Sequence, residues 1–256
     1  MPLPNSDQLA AELCRIAHAA GDVIMAIYRS EITTRTKADA SPVTDADEAA
    51  ERLIIEALEI MAPEIPIVAE ERAAAGQTPD VGDAPFWLVD PLDGTKEFIS
   101  RNGDFTVNIA LIRDGVPVEG VVHAPAVPVT YFTKAGATHI IEDGGAARPI
   151  TVRSPDADGM VAVVSRSHYS AETADFLADY TVKAERAAGS SLKFGLVASG
   201  AADLYPRLGR TMEWDTAAGH AVVLAAGGSV RTLDGLPLRY GKPGFENPHF
   251  VVRGVD

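Results

Sequence analysis

Apolar residues recur at helical spacing in two segments near the start of the chain. Residues 6–28 carry them along one broad face, which predicts an amphipathic helix. Residues 53–61 repeat the pattern and predict a second helix that ends before Pro63. Thr44 is expected to cap the second helix, because Asp47 follows it at the spacing of a capping box.

Two short apolar runs predict strands that end in acidic residues. Residues 65–69 lead directly into the pair Glu70 and Glu71, and residues 86–89 lead into Asp90. The acids at these strand ends are therefore the first candidates for chemistry.

The rest of the chain divides into two regions of different pattern. Residues 105–141 are strand-like with two turn signals, which predicts an antiparallel meander. After about Pro155, shorter strands alternate with helices. We therefore predict two lobes in contact: an α+β lobe over residues 1–155 that carries most of the candidate acids, and an α/β lobe over residues 156–256.

Composition limits the class of protein. The chain has 256 residues, of which 46% are hydrophobic and 23% charged, as expected of a globular protein with a substantial core. Its 36 acidic residues outnumber 22 basic ones, giving a formal charge of −14. A nucleic-acid polymer is therefore a poor candidate partner, because contacts with its phosphates need Lys and Arg.

Further features bear on location. No apolar run approaches the ~20 residues that cross a bilayer, so no transmembrane segment is predicted. The start of the chain lacks the basic and apolar regions of a secretory signal. A single cysteine, Cys14, cannot form an internal disulfide and fits a reducing compartment. We predict a cytoplasmic protein and leave a homodimer open, because no sequence pattern sets the oligomeric state.

The densest candidate for chemistry is the string WLVDPLDGT at residues 87–95. Here an apolar strand delivers Asp90 and Asp93, three residues apart across a proline turn. Carboxylate oxygens are the ligands that Mg²⁺ prefers. With Glu70 at a neighbouring strand end and Asp215 at the entrance to a helix, they predict a two-metal cluster, with ions ~3.5–4 Å apart that clamp a phosphate.

Each acid also has a simpler structural interpretation. Asp90 before Pro-x-Asp-Gly is typical of a turn, Asp215 is typical of a helix cap, and Glu70 is compatible with a solvated strand end. The metal interpretation is preferred because these acids occur together in one chain and two of the groups end apolar strands.

The N-termini of two predicted helices are suited to bind an anion. Gly94 and Thr95 open a short helix over residues 95–99, and Thr216 begins another, so free backbone N–H groups at either start suit a phosphate. The aspartates at residues 90 and 93 are three apart, not two as in haloacid-dehalogenase-type phosphatases. This spacing favours attack by water over a phospho-aspartate.

These motifs resemble those of the inositol monophosphatase superfamily, D-P-[LI]-D-G-T with a later W-D-x-A-A-G, and the similarity covers nearly the whole chain. Within it, four strings are closest to the CysQ-type 3′(2′),5′-bisphosphate nucleotidases: KADASPVT at 37–44, DPLDGTKEFI at 90–99, GSSLK at 189–193 and DLYPR at 203–207. The resemblance implies a layered αβαβα sandwich of the inositol monophosphatase and fructose-1,6-bisphosphatase type.

The resemblance also implies two to three Mg²⁺ ions. One would be held by Glu70, Asp90 and the carbonyl of Leu92. A second would be held by Asp90, Asp93 and Asp215, so that Asp90 bridges the two.

A third, weaker ion near Glu70 is implied to position the attacking water. Asp47 and Thr95 are implied as the pair that orients and deprotonates this water, in agreement with the need to fix a nucleophile opposite its leaving group. Inhibition by Li⁺ is implied as well, since Li⁺ can take a Mg²⁺ position in this superfamily.

The implied substrate is a small phosphorylated nucleotide, 3′-phosphoadenosine 5′-phosphate, cleaved to AMP and phosphate. Basic residues would hold its second phosphate, Tyr205 would contact the nucleoside, and Glu213 would bond a sugar hydroxyl. The full set of implied substrate-binding residues is Gly94, Thr95, Arg166, His168, Ser190, Ser191, Lys193, Tyr205, Arg207 and Glu213.

Two alternatives stay open. The same chemistry on inositol phosphate or fructose 1,6-bisphosphate would use the same metal residues. A non-catalytic nucleotide- or metal-binding module on a phosphatase scaffold would show the loss of a metal or catalytic residue, and every one is present here.

Overall fold

The computed structural model describes residues 3–37, 42–167 and 169–255. Its helices are α1 (Ser6–Tyr28), α2 (Asp45–Met61), α3 (Glu70–Ala74), α4 (Thr95–Ile99), α5 (Ala171–Ala178), α6 (Leu192–Ala198) and α7 (Glu213–Ala225), with a 3₁₀ turn at Pro243–Phe245. Its strands are β1 (Thr34–Thr36), β2 (Pro42–Thr44), β3 (Ile67–Ala69), β4 (Phe86–Asp93), β5 (Thr106–Arg113), β6 (Val116–Ala124), β7 (Val129–Lys134), β8 (Ala137–Glu142), β9 (Arg148–Ile150), β10 (Met160–Ser165), β11 (Val182–Ala188), β12 (Leu204–Arg207), β13 (Ser229–Thr232) and β14 (Phe250–Arg253).

The strands form two main sheets. The first has the order β3-β4-β5-β6-β7-β8-β9, with β3 and β4 parallel and every later pair antiparallel. This confirms the predicted meander. The second has the order β11-β10-β12-β14-β13, in which β10 runs parallel to both of its neighbours. Strands β1 and β2 form a separate antiparallel pair.

Helices and sheets alternate in layers, which confirms the predicted αβαβα arrangement. Helices α1 and α2 cover one face of the first sheet, α6 and α7 lie between the sheets, and α5 packs on the outer face of the second sheet. Successive side chains of a strand point to opposite faces of the sheet. In β4, Trp87 and Val89 therefore pack against α1 and α2, whereas Leu88 packs against the central layer.

The two N-terminal helices match their predictions. Helix α1 has the predicted bounds, and α2 ends at Met61, before Pro63. Thr44 caps α2, and Asp47 accepts the Thr44 backbone N–H in return, so the predicted capping box is present. This box fixes the first turn of α2 and with it the direction of the Asp47 side chain.

Three predicted boundaries differ from the structure. Strand β4 continues through the proline turn to Asp93, because β5 pairs with it as far as Thr106. Glu70 and Glu71 begin helix α3 rather than ending a solvated strand. Helix α7 begins at Glu213, which places Asp215 inside its first turn.

The predicted lobe boundary near residue 155 falls between β9 and β10, which belong to different sheets. Helix α7 nevertheless packs on β4, β5 and β6 of the first sheet. The division into two lobes stays a prediction. Within the described ranges, no helix combines the length and the apolar character needed to span a membrane.

Candidate active site

A cavity of about 260 Å³ opens where the two sheets meet. The end of β4, the start of α4, the turn before α6, strand β12 and the start of α7 all contribute to its wall. It brings together many of the predicted site residues, from both halves of the chain. These are Glu70, Asp93, Gly94, Thr95, Ser190, Ser191, Lys193, Tyr205, Arg207 and Asp215.

Acidic side chains crowd one side of this cavity. Asp90 is buried at 1% exposure. Its burial, followed by the charges of Glu70, Asp93 and Asp215, raises its pKa well above the ordinary value. Burial and the charges of Asp93 and Glu70 raise the pKa of Asp215 in the same way, and burial raises the pKa of Asp93 to about 6. Like charges held together in this manner favour a proton or a cation among them.

Backbone contacts fix how these acids point. Asp90 Oδ1 accepts a hydrogen bond from the Leu92 N–H at 3.0 Å, and Asp215 Oδ2 accepts one from the Met212 N–H at 2.9 Å. Asp93 Oδ2 accepts one from the Ser191 N–H at 2.6 Å. The turn and cap interpretations therefore hold locally, and the same bonds orient the carboxylates of the buried Asp90 and of Asp93 and Asp215, which line the cavity.

The donor set suits a hard divalent cation. The carboxylates of Glu70, Asp90, Asp93 and Asp215 and the carbonyl of Leu92 are oxygen groups of the kind that Mg²⁺ takes as ligands. Burial and the neighbouring acids raise the pKa of Asp90 and of Asp215, and so favour a proton or a cation at these carboxylates. Within the part of the chain that the structure describes, no three metal-ligating side chains close around one point. The fit to a metal therefore rests on the oxygen chemistry of these residues and not on a preformed cage.

Asp47 and Thr95, which are 48 residues apart, meet beside this cluster. The Thr95 hydroxyl donates to Asp47 Oδ1 at 3.0 Å, while Asp47 Oδ2 accepts from the backbone N–H and the hydroxyl of Thr44, each at 2.7 Å. Burial raises the pKa of Asp47, which is 1% exposed. The arrangement places a carboxylate of raised basicity behind a hydroxyl that faces the cavity.

The GSSLK string holds the cavity together rather than only lining it. The Ser190 hydroxyl bonds to the carbonyls of Asp93 and Asp104, each at 2.7 Å. The Ser191 hydroxyl is buried and bonds to Asn108 Oδ1 at 2.6 Å. The Ser191 hydroxyl is thus bonded within the protein, although Ser191 also lines the cavity, and its predicted contact with a ligand stays a prediction. Ser190 stays on the cavity wall.

Gly94 is required by this packing. Its φ is +91°, and a Cβ added there would lie 2.2 Å from Ser190 Oγ. We expect Gly94→Ala to lower the free energy of unfolding by roughly 2–4 kcal/mol, through backbone strain and overpacking, and to reduce any activity of the site. Gly76 is the matched control, because its φ is +73° with nothing within 4 Å. Chemical denaturation should show a loss of only about 1 kcal/mol for Gly76→Ala; equal losses in the two variants would contradict the packing argument.

Two predicted cations, Lys193 and Arg207, also line the cavity. Lys193 is 4% exposed, and its Nζ donates to the carbonyl of Ser190. Burial lowers its pKa to about 8, although Asp93 favours its charged form. The Nη2 of Arg207 donates to the carbonyl of Arg210 at 3.1 Å, and its buried Nε lacks a hydrogen-bond partner among the described residues. Both side chains belong to the cavity wall, so an anion bound there can accept charge-assisted hydrogen bonds from them.

The structure gives a different picture for each of three other predicted ligands. Arg166 does not line the cavity and pairs with Asp104 at 2.8 Å. Tyr205 reaches the cavity but is 3% exposed and packs edge-on against Phe194, so its ring belongs mainly to the core. His168 lies outside the described residues, as do residues 38–41 of the string that begins at Lys37.

The carboxylate of Glu213 is bonded within the protein in this structure, and its predicted contact with a sugar hydroxyl stays a prediction. Its side chain is fully buried and its carboxylate accepts from the Gly241 N–H at 2.7 Å and from the backbone N–H and Nζ of Lys242 at 2.9 and 2.6 Å. These bonds anchor the loop after β13 to the first turn of α7. Such bonds are expected, because burying a carboxylate without donors is costly.

The structure also shows residues that the sequence did not single out. Lys37 Nζ lies 2.6 Å from carboxylate oxygens of both Glu70 and Glu71. Glu51 is buried and accepts the first backbone N–H groups of α3. Asn108 faces Asp90 across β4 and β5. Lys37 stands in one of the quoted family strings, which was the available signal; for Glu51 and Asn108 no local pattern gave one.

The fold and this site together define the class of protein. A model of the inositol monophosphatase family matches residues 5–249. The chain belongs to the inositol monophosphatase family.

Named relatives give a finer comparison. The chain is 47% identical over 244 residues to the 3′(2′),5′-bisphosphate nucleotidase CysQ of Shigella flexneri, a match covering 94% of this chain and 98% of that one. It is 46% identical, over the same shares, to CysQ of Escherichia coli strain K12. The crystal structure of CysQ from Bacteroides thetaiotaomicron, described as a bacterial member of the inositol monophosphatase family, superposes with a TM-score of 0.80 at 38% identity over 98% of both chains.

Proposed function

We propose that this protein is a Mg²⁺-dependent 3′(2′),5′-bisphosphate nucleotidase that removes the 3′-phosphate of 3′-phosphoadenosine 5′-phosphate, giving AMP and phosphate. The observation that carries the proposal is that one cavity is lined both by the acids Glu70, Asp93 and Asp215, whose charges act on the buried Asp90, and by the cations Lys193 and Arg207. The identity of 47% to a protein named for this activity supports the choice of substrate.

The proposed metal positions use the acidic side of the cavity. Glu70, Asp90 and the Leu92 carbonyl would hold one Mg²⁺, and Asp90, Asp93 and Asp215 a second, with a third, weaker position near Glu70. Bound Mg²⁺ would neutralise charge on the phosphate and make a nearby water more acidic. The crowding of these acids supports this assignment, because burial and the neighbouring negative charges raise the pKa of Asp90 and Asp215 and so favour a cation among them.

Asp47 and Thr95 are proposed to move the proton of the attacking water. The Thr95 oxygen can accept that proton while its own hydroxyl proton passes to Asp47 Oδ1, 3.0 Å away. Burial raises the pKa of Asp47 and so makes it a better base than a solvated aspartate. Thr44 keeps the other carboxylate oxygen fixed, so that the accepting oxygen stays directed at Thr95.

Lys193 and Arg207 are proposed to receive the second phosphate of the substrate. A nucleotide with its 3′-phosphate at the acidic cluster has a second dianionic group one sugar away, and Lys193 and Arg207 are buried or partly buried cations in the wall that can donate to it. Charge-assisted hydrogen bonds of this kind are the strongest that side chains make with phosphate. Ser190 and Gly94 shape the wall between the two phosphates.

The role of Arg207 can be tested by its replacement. Arg207→Gln should raise KM for 3′-phosphoadenosine 5′-phosphate by about 10- to 100-fold, as expected for a lost charge-assisted hydrogen bond, with a smaller effect on 3′-AMP, which lacks the second phosphate. Arg186→Gln is the control, because Arg186 is exposed on β11 and bonds to the carbonyl of Ala201. Equal effects on both nucleotides would place the second phosphate elsewhere.

The experiment that tests the proposed substrate is a comparison of kcat/KM for phosphate release with Mg²⁺. The substrates are 3′-phosphoadenosine 5′-phosphate, myo-inositol 1-phosphate and fructose 1,6-bisphosphate. We expect a strong preference for the nucleotide. Preference for either sugar phosphate would keep the metal chemistry and reject the roles given to Lys193 and Arg207, and no turnover of any of the three would favour a binding module.

Three further properties accompany this proposal. We propose a cytoplasmic location, which suits a chain whose one cysteine, Cys14, is a free thiol. Li⁺ inhibition stays a prediction, to be measured in the same phosphate-release assay. The homodimer also stays a prediction, and light scattering of the purified protein would decide it.

A further inference from the structure

Lys37 forms ion pairs with two acids at the edge of the acidic cluster. It follows β1 and reaches α3, where its Nζ lies 2.6 Å from Glu70 Oε1 and 2.6 Å from Glu71 Oε1. Its side chain is only 9% exposed, against 24% for Glu70 and 12% for Glu71. A lysine held this closely by two carboxylates is a fixed component of the site rather than a solvated surface charge.

The surroundings explain why a cation is held there. The buried carboxylate of Glu51 accepts the backbone N–H groups of Glu71 and Arg72 at 2.7 and 3.0 Å, and so adds a further negative charge beneath the start of α3. The charge of Glu70 also acts on Asp47 and Asp90. Lys37 therefore compensates negative charge where several acids converge.

A cation from solvent has access to the same carboxylate. Lys37 and Glu70 both line a second cavity, of about 490 Å³, whose walls include Met212, Trp214 and Phe245. Glu70 and Asp215 border both this cavity and the first one. Glu70 therefore stands between the two openings, with the ammonium of Lys37 on the side of the second.

We propose that Lys37 is an internal counter-cation that pairs with Glu70 in the metal-free protein and is displaced from it when a divalent cation binds. This competition lowers the affinity of the site for the cation. The inference rests on the metal site of the proposed function. The ammonium of Lys37 and a metal ion would compete for the carboxylate of Glu70. When the metal binds, Lys37 can keep its ion pair with Glu71, because its side chain is flexible. Lys37 is thus a positioning residue that acts through Glu70.

Removal of the competing charge gives the first test. We expect Lys37→Met to unfold at a lower temperature than the wild type without Mg²⁺, to bind Mg²⁺ about fivefold more tightly or better by calorimetry, and to gain more in melting temperature on Mg²⁺ addition. A purely structural lysine would lower the melting temperature without tightening Mg²⁺ binding. Lys37→Arg, which keeps the charge, should bind Mg²⁺ with nearly the wild-type affinity.

Lys242→Met is the matched control. Lys242 also pairs at 2.6 Å with a buried carboxylate, that of Glu213, but it lies outside the acidic cluster. We expect this variant to lose stability while its Mg²⁺ affinity stays at the wild-type value. Tightened Mg²⁺ binding in Lys242→Met would show that general loosening, not competition, causes the effect.

A second measurement uses the wild-type protein and does not depend on the variant folding. Saturating Mg²⁺ should increase acetylation of Lys37 by an amine-reactive reagent, relative to the solvent-facing Lys183, in peptide mass spectrometry. Unchanged labelling of Lys37, unchanged or weaker Mg²⁺ affinity in Lys37→Met, or no Mg²⁺ binding by the wild type would each overturn the proposal. Failure of the proposed function alone is distinguishable, since it would leave Mg²⁺ binding intact without turnover of any phosphate ester.

Discussion

Asp90→Asn is expected to abolish phosphate release and, at the same time, to stabilise the metal-free protein. The loss of activity should be on the order of 1,000-fold or more, because Asp90 is the acid assigned to both metal ions and its charge is part of transition-state stabilisation. The gain in stability is expected because burial and the charges of Glu70, Asp93 and Asp215 raise the pKa of Asp90 and so disfavour its ionised form in the metal-free fold. An amide carries no charge and removes this penalty.

The measurements are phosphate release with Mg²⁺ and chemical denaturation in a chelator, each with Asp203→Asn as a matched control. Asp203 is equally buried, at 3% exposure, but Arg153 compensates its charge through bonds at 2.8 and 3.0 Å. Its amide variant should therefore lose stability and keep its activity per folded molecule. A destabilised Asp90→Asn would contradict the assignment of Asp90 to a cluster of acids whose mutual repulsion costs stability in the metal-free protein.

The stabilisation that Mg²⁺ confers is expected to increase strongly as the pH rises from about 5 to about 8. Burial raises the pKa of Glu51 and Asp93 to about 6 and that of Glu71 to about 7. The folded metal-free protein thus binds more protons than the unfolded chain between about pH 4 and about pH 7. The stability contributed by these groups is fully present below the unfolded pKa values and is lost as the pH rises through the folded ones.

Buried histidines act in the opposite direction. Burial lowers the pKa of His123 to about 4 and that of His220 to about 3, so these groups reduce stability as the pH falls below about 6.5. Because both histidines are present with and without Mg²⁺, the difference between the two melting temperatures isolates the acidic cluster. The test is this difference at fixed ionic strength across the pH range, and a constant or falling difference would contradict a carboxylate metal site.

Local patterns were sufficient for much of the fold. The bounds of α1 and the capping box of α2 depend on residues within one or two turns of each other, so helical spacing and the Thr44–Asp47 pair predicted them. The acidic cluster was predicted because its members share one physical signature, an acid that ends an apolar strand or opens a helix.

Longer-range partners could not be predicted in the same way. The Thr106–Ser191 contact joins residues 85 positions apart, and the Lys37–Glu70 contact joins residues 33 apart. Glu213 shows the same limit, since its sequence position beside Trp214 and Asp215 indicates the site while its carboxylate bonds to Gly241 and Lys242. Sequence spacing predicts which residues belong to a helix or strand. It does not predict the distant residue that a buried side chain will contact, because that depends on how the layers pack.

The central claim is tested most directly by identifying the products formed from 3′-phosphoadenosine 5′-phosphate, by chromatography, with Mg²⁺ and with a chelator. We expect AMP and inorganic phosphate in equal amounts, only when Mg²⁺ is present. Formation of adenosine 3′-phosphate, product formation that survives chelation, or no reaction with Mg²⁺ would contradict a metal-dependent 3′-nucleotidase site at Asp90.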